Sequence, residues 1–270
     1  MKIALLFVSL AAAAPAAPKP AEWLVVRAAD WDSSWKPKAD REWAEKLVAV
    51  VSAAAKDGVD ALVFAEGFSA GRCPEDLLPS LKGAAGPDML VALGVMPCKE
   101  KGSAVARTWV YSSGGWAAFD KIDPTPAERA AKPPVKPGTR LVLFRWRGGL
   151  ASVLPSYSAQ KPELAAALKK RGVSLLLVPV PAEDDDGWRR VTRAASARAV
   201  ELGAAVVLVP PSAPPTLYLP AQKGFEPALA AGARDVRVPW RRLLELRSPP
   251  AGSTEARPFL DPATYYQVEF

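Results

Sequence analysis

Histidine is absent from all 270 residues of the chain. That one absence excludes Ser-His-Asp and Cys-His hydrolysis, histidine-ligated zinc and imidazole general-base chemistry. Cysteine occurs twice, as Cys73 and Cys98. A basic stripe with interleaved aromatics is also missing. The net charge of +7 comes from Lys and Arg spread over helix faces and loops and broken by the acidic run "EDDDGWRR" at 183 to 190. Such a pattern gives a solvated cationic surface and no nucleic-acid face. No repeat recurs at a solenoid period, and the apolar run from Ile3 to Ala14 is too short to span a bilayer comfortably.

What that run does fit is a signal peptide. Lys2 precedes it, and small residues after it offer A-x-A cleavage options near Ala14 or Ala16, so residues 1–16 are read as a leader ending within 14–17. No cysteine lies near the cleavage point to accept lipid, and "APAAPKP" suits neither a buried strand nor a helix. Periplasmic or secreted localisation follows as an expectation. Export into an oxidising compartment favours pairing Cys73 with Cys98, a closure worth about 3 kcal/mol in the chain-entropy model. Two separate buried thiols are the other reading.

The remaining chain, 23–270, is half hydrophobic and long enough for one large domain. Its apolar runs alternate with amphipathic stretches. "WLVVRAA" predicts a strand and "REWAEKLVAVVSAAAKDG" a helix in which Trp43, Leu47, Val50, Val51 and Ala54 share a face before Gly58. Strand "ALVFAE", a short helix around "PEDLLPSLKGAAG" and strand "MLVALGVMP" complete βαβαβ, which implies parallel strands. "ARTWVYSSGGWAAFDK" and "RLVLFRWRGGLASVLP" read as hairpins, with a Pro-rich ordered loop between them. Helix–strand alternation resumes from Lys161 to Pro210, and "TLYLP" with "DVRVPW" is read as a closing strand pair before the tail. A helix, sheet, sheet, helix sandwich of the α/β class accounts for βα units and hairpins together.

Three polar residues end apolar strands, where open α/β sheets place their sites: Glu66 after "DALVFA", Lys121 after "WAAFD" and Ser156 after "LASVLP". A strand-terminal charge taken singly is usually the chain returning to water. In this order, however, they resemble the carbon-nitrogen hydrolase, or nitrilase, superfamily. Its "vvfPE" motif is matched by "LVFAEGF", its "K-x-x-x-x-x-x-E" stretch by "KIDPTPAE" from Lys121 to Glu128, and its "CYDxRFPE" by "SYSAQKPE" from Ser156 to Glu163. "ARAVELGAAVVLVP" is similar to the family's "RAxEN" helix and following strand, covering Arg198, Ala199 and Glu201.

The resemblance implies a four-layer α-β-β-α fold and hydrolysis of an amide or nitrile, or acyl transfer, through a cysteine thioester. It implies Glu66 as general base, Lys121 as oxyanion stabiliser and Glu128 as the carboxylate that orients the site, with no cofactor, no metal and a homodimer. Ser156 occupies the cysteine's place, Ser158 that of the following Asp, and Gln160-Lys161 that of Arg-Phe. Tyr157 either packs or lends its backbone N–H to an oxyanion hole. Cys73, on the loop beyond Glu66, is a weaker alternative nucleophile.

A hydroxyl changes the chemistry. A thiol ionises near pH 8.5, whereas water, a proxy for serine, does so near 15.7. The expected function is therefore a domain that no longer turns over by the cysteine route and binds a small amide-like or carboxylate ligand or a protein partner. A working amidase is the alternative; it would attack with Ser156, using Glu66 together with a Lys121 discharged by burial. A third reading makes the chain an unrelated periplasmic binding protein, in which Glu66, Lys121 and Ser156 do not converge.

Overall fold

The computed structural model describes residues 21–31, 39–69, 73–100, 103–112, 115–220, 234–247 and 265–269. The leader-like segment 1–16 lies outside them. The first half runs β1 (Leu24–Ala28), α1 (Asp40–Lys56), β2 (Ala61–Val63), a 3-10 turn (Glu75–Leu77), α2 (Leu78–Ala85), β3 (Leu90–Glu100), β4 (Ser103–Ser112), β5 (Gly115–Asp120), α3 (Pro126–Ala130) and β6 (Val135–Lys136). The second runs β7 (Arg140–Trp146), β8 (Gly149–Val153), α4 (Ser156–Ala159), α5 (Pro162–Lys170), β9 (Leu175–Pro179), α6 (Asp185–Leu202), β10 (Ala205–Val209), β11 (Thr216–Tyr218), β12 (Asp235–Val238), α7 (Trp240–Arg247) and β13 (Tyr265–Glu269).

These strands form two sheets, ordered β12-β1-β2-β3-β4-β5 with β6 beside β4, and β11-β10-β9-β8-β7-β13. The βαβαβ start is parallel from β1 to β3, and both predicted hairpins, β4–β5 and β7–β8, are antiparallel. Side-chain alternation explains the layering. In β9, Leu175 and Leu177 enter the core between the sheets, while Leu176 and Val178 face the helices, so the strand is apolar on both sides. β10 repeats this with Ala205, Val207 and Val209 against Val206 and Leu208.

Outside each sheet lies a helical layer. α1 buries Trp43, Leu47, Val51 and Ala54, spaced three and four residues apart, against the outer face of the first sheet. α5 and α6 cover the second with Leu164, Leu168, Val191, Ala195 and Ala199. Four layers result, α-β-β-α.

Two readings need correction. "TLYLP" and "DVRVPW" are not a pair: β11 extends the second sheet beside β10, and β12 extends the first beside β1. The tail also carries a strand, since β13 pairs antiparallel with β7. Both pairings span long stretches of chain, which local periodicity does not encode.

Gly94 fixes the approach of β3 to the segment after β2. It lies where the β3–β4 register shifts, and a Cβ there would stand 2.1 Å from the Ala65 carbonyl oxygen. Gly94→Ala must displace that backbone. Overpacking of this kind costs about 1–3 kcal/mol, an expected loss that urea unfolding at constant m-value would register.

Candidate active site

Glu66 sits on the turn after β2 with its side chain 9% exposed. Phe64 and Phe68 on either side of it pack with Trp31 and with each other at ring-centroid separations of 4.6–5.8 Å. The Glu66 N–H donates to Val180 O at 3.2 Å and Gly67 N–H to Val95 O at 2.9 Å. The turn is thus tied both to the opposite sheet, at the end of β9, and to β3. Further along, a disulfide joins Cys73 to Cys98 of β3, with Cα atoms 5.7 Å apart, and removes Cys73 as a nucleophile. Reduction opens a loop of sequence separation 25, and the melting free energy is expected to fall by about 3 kcal/mol. Thermal melts with and without dithiothreitol test this, with Cys98→Ala as the reductant-insensitive control.

Lys121 directly follows β5. Its backbone is anchored on both sides, N–H to Ala106 O at 2.7 Å and carbonyl to Gly138 N–H at 2.9 Å. The side chain is 1% exposed, and its ammonium donates to Glu66 Oε1 at 2.6 Å and reaches both oxygens of Glu128 at 3.0–3.1 Å. Glu128 is placed by a capping box: Glu128 N–H donates to Thr125 Oγ1 at 3.2 Å, and Thr125 N–H donates to Glu128 Oε2 at 2.6 Å. The sequence "TPAE" spells that box, a signal that would have located Glu128 without any resemblance.

Ser156 comes from the other sheet. After β8 the chain passes Leu154 and Pro155 and turns into α4, which begins at Ser156. The hydroxyl is buried and stands 3.4 Å from Glu66 Oε2, at the long end of a hydrogen bond. Glu66, Lys121, Glu128 and Ser156 therefore converge, which excludes strand-end polar groups scattered over the surface. Tyr157 is half-buried in the first turn of α4, where amides lack intrahelical acceptors, and the Lys161 ammonium lies 5.3 Å from its ring centroid. Ser158 is fully buried, its hydroxyl without a partner. Arg198 of α6 is buried and paired with Glu201.

Burial pushes the Glu66 carboxyl above the usual carboxylate range, against the pull of Lys121 and with help from Glu128. Burial also opposes the charge on Lys121, but Glu66 and then Glu128 outweigh it and hold the lysine above its ordinary value. The working-amidase alternative's Lys121, discharged by burial, is thus corrected: the balance of burial and carboxylates favours its ammonium form. Among the described residues no group of three His, Cys, Asp or Glu could hold a metal ion, and no helix is long and apolar enough to cross a membrane. A cavity of about 440 Å³ lined by Asp40, Trp43, Cys73 and Asp76, among others, lies apart from the converging residues.

A carboxylate, an ammonium and a second carboxylate facing a strand-to-helix turn invite comparison with known structures. An amidase variant from Nesterenkonia sp. AN1, solved with butyramide, superposes with a TM-score of 0.59 at 20% identity, covering 84% of this chain and 94% of its own. A cysteine-to-serine variant of that nitrilase-superfamily amidase gives 0.60 at 19% identity, over 82% and 94%. The chain has the nitrilase-superfamily fold. No protein-family model matches it, and no curated protein sequence does. In this nitrilase fold the converging side chains come from both sheets, and Glu66, Lys121 and Ser156, the polar residues at three strand ends, are among them. Strand ends do not point to Thr125, which caps Glu128, or to Asp123 and Lys161, which pair with each other from loop and helix-end positions.

Proposed function

We propose that the protein is an exported nitrilase-fold domain that binds a small neutral amide at Ser156 and does not turn it over by the cysteine route. The observation that carries this is the buried hydroxyl 3.4 Å from Glu66, beside a lysine already engaged by two carboxylates. The base is in place, but the group it would deprotonate is about 7 units less acidic than a thiol. Ligand charge follows from the same atoms. With Glu66 ionised, Lys121, Glu66 and Glu128 sum to one negative charge; with Glu66 protonated they are neutral. Neither state leaves surplus positive charge for a carboxylate, so the amide is favoured over the acid.

Butyramide and butyrate are the test pair, with the protein followed by thermal shift and by ammonia release. Butyramide should raise the melting temperature without ammonia, and butyrate should do less. Ammonia release at enzyme-like rates, abolished by Ser156→Ala, would overturn the proposal. Export is tested by N-terminal sequencing of the mature protein, which should begin within residues 15–18.

A working serine amidase is the second reading. It is favoured by the contact between Ser156 and a carboxyl whose proton affinity burial has raised, which suits a general base. It requires that a fluorophosphonate probe label Ser156 in folded protein.

A further inference from the structure

We infer that Lys161 is a positioning residue, clamping the segment that carries Glu128 to the helix that carries Ser156. This rests on the reading that Ser156 marks the site. The Lys161 ammonium donates to Asp123 Oδ2 at 2.9 Å and lies 5.3 Å from the Tyr157 ring centroid. Asp123 Oδ1 accepts from Arg129. Asp123 lies just past Lys121, Arg129 just past Glu128 and Tyr157 just past Ser156. The Lys161 N–H also donates to Ser158 O at 3.1 Å, closing the junction of α4 and α5.

The reason such a clamp matters lies in α3. That helix buries no side chain, so polar contacts, not apolar packing, hold it over the site. Its N-terminal capping box fixes Glu128 within the helix, and the bond to Lys121 draws it inward. The loop before α3 is anchored by the Lys121 backbone bonds, by Ile122 against the second sheet's outer core and by buried Pro124. Asp123 adds the polar tie to α3 itself, since both its oxygens are used, one within the loop–helix segment through Arg129 and one across to Lys161. An isolated exposed pair contributes little, whereas one carboxylate shared by two cations is a small network. The attraction of Asp123 holds the Lys161 ammonium above its ordinary value, so the clamp is charged throughout neutral pH.

Losing the clamp lets Glu128 withdraw from Lys121, leaving that ammonium less compensated toward position 156. The test uses the Ser156→Cys protein. With Cys73 and Cys98 bonded to each other, the introduced thiol is the free one. Its alkylation by iodoacetamide is followed against pH. The charged groups around it are Glu66, Lys121 and Glu128, with Asp123, Arg129, Lys161 and Glu163 beyond.

In that background, Lys161→Met is expected to lower the apparent thiol pKa and speed alkylation near neutral pH by about fivefold, the scale of a modest ion-pair network. Asp123→Asn should do the same, each should match the direction of Glu128→Gln, and neither should add to it. Lys161→Arg should retain the parent profile, and added salt should shrink the gap between Lys161→Met and its parent. A direct charge effect predicts the opposite sign for Lys161→Met, because removing a cation disfavours a thiolate. That opposite shift, or an unchanged profile, overturns the clamp. Loss of butyramide binding with the profile shift intact would instead sink the proposed function and leave the clamp standing.

Discussion

Replacing Ser156 with cysteine is expected to raise hydrolysis of short primary amides by at least about a hundredfold, or ~2.7 kcal/mol of barrier. Full deprotonation of a hydroxyl in place of a thiol costs on the order of 10 kcal/mol more, from about 7 units at 1.36 kcal/mol each. Concerted proton transfer reduces that difference but does not remove it. In the variant, Sγ attacks the amide carbon as its proton passes to Glu66; that proton then leaves with ammonia, and water cleaves the thioester. Steady-state ammonia release with butyramide measures the gain, and Glu66→Gln in the same background should erase it. If the cysteine protein were no faster than the parent, the geometry would not be that of a disabled hydrolase, and the shallow contact at 3.4 Å would be incidental.

Lys121→Met carries the second large effect, this time on stability. Lys121 is nearly fully buried between Glu66 and Glu128. Removing one member of a buried ionic cluster costs about 3–5 kcal/mol, because the remaining charge stays uncompensated. Glu128 is partly open to solvent, which favours the lower end. At roughly 2–4 °C per kcal/mol for a chain of this size, the melting temperature should fall by on the order of 10 °C.

The pH dependence has a definite sign. Glu66 is raised in the folded protein, by burial first, and more so once Lys121 is gone. A carboxyl raised on folding contributes stability below its unfolded pKa and loses it as pH rises through the folded value. The deficit of Lys121→Met should therefore be smallest in acid and grow toward neutral pH. In the parent, Lys121 is also raised, and its contribution persists until pH climbs beyond the ordinary lysine range. Melts of both proteins from about pH 5 to pH 8 distinguish the two curves. A deficit independent of pH would mean that lost packing, not uncompensated charge, is the cause.

The layers were legible in the sequence because burial on both faces leaves an unbroken apolar strand, as in "LLLVP" of β9, and burial on one face leaves the spacing of Trp43, Leu47, Val51 and Ala54. Sheet membership of β11, β12 and β13 was not, because a short strand's periodicity is the same whichever neighbour it finds. The site divides along the same line. Glu66, Lys121 and Ser156 could be read from strand ends, since a polar group closing an apolar run is a local signal. Asp123 and Lys161 are surface-type residues on a loop and at a helix start, and their meeting joins segments far apart in the chain, which no local pattern encodes. The discharged Lys121 of the working-amidase alternative fails because Glu66 and Glu128 together outweigh the burial that would have lowered it.

The bond from the Glu66 N–H to Val180 O makes one amide a gauge of the whole sandwich. Its donor follows β2 of the first sheet and its acceptor follows β9 of the second, so its exchange is expected to be slow while the layers stay packed. Exchange at Glu66 would accordingly time the opening of the interface, and any ligand gripping Ser156 and Lys121 at once should slow that clock without touching either partner of the bond.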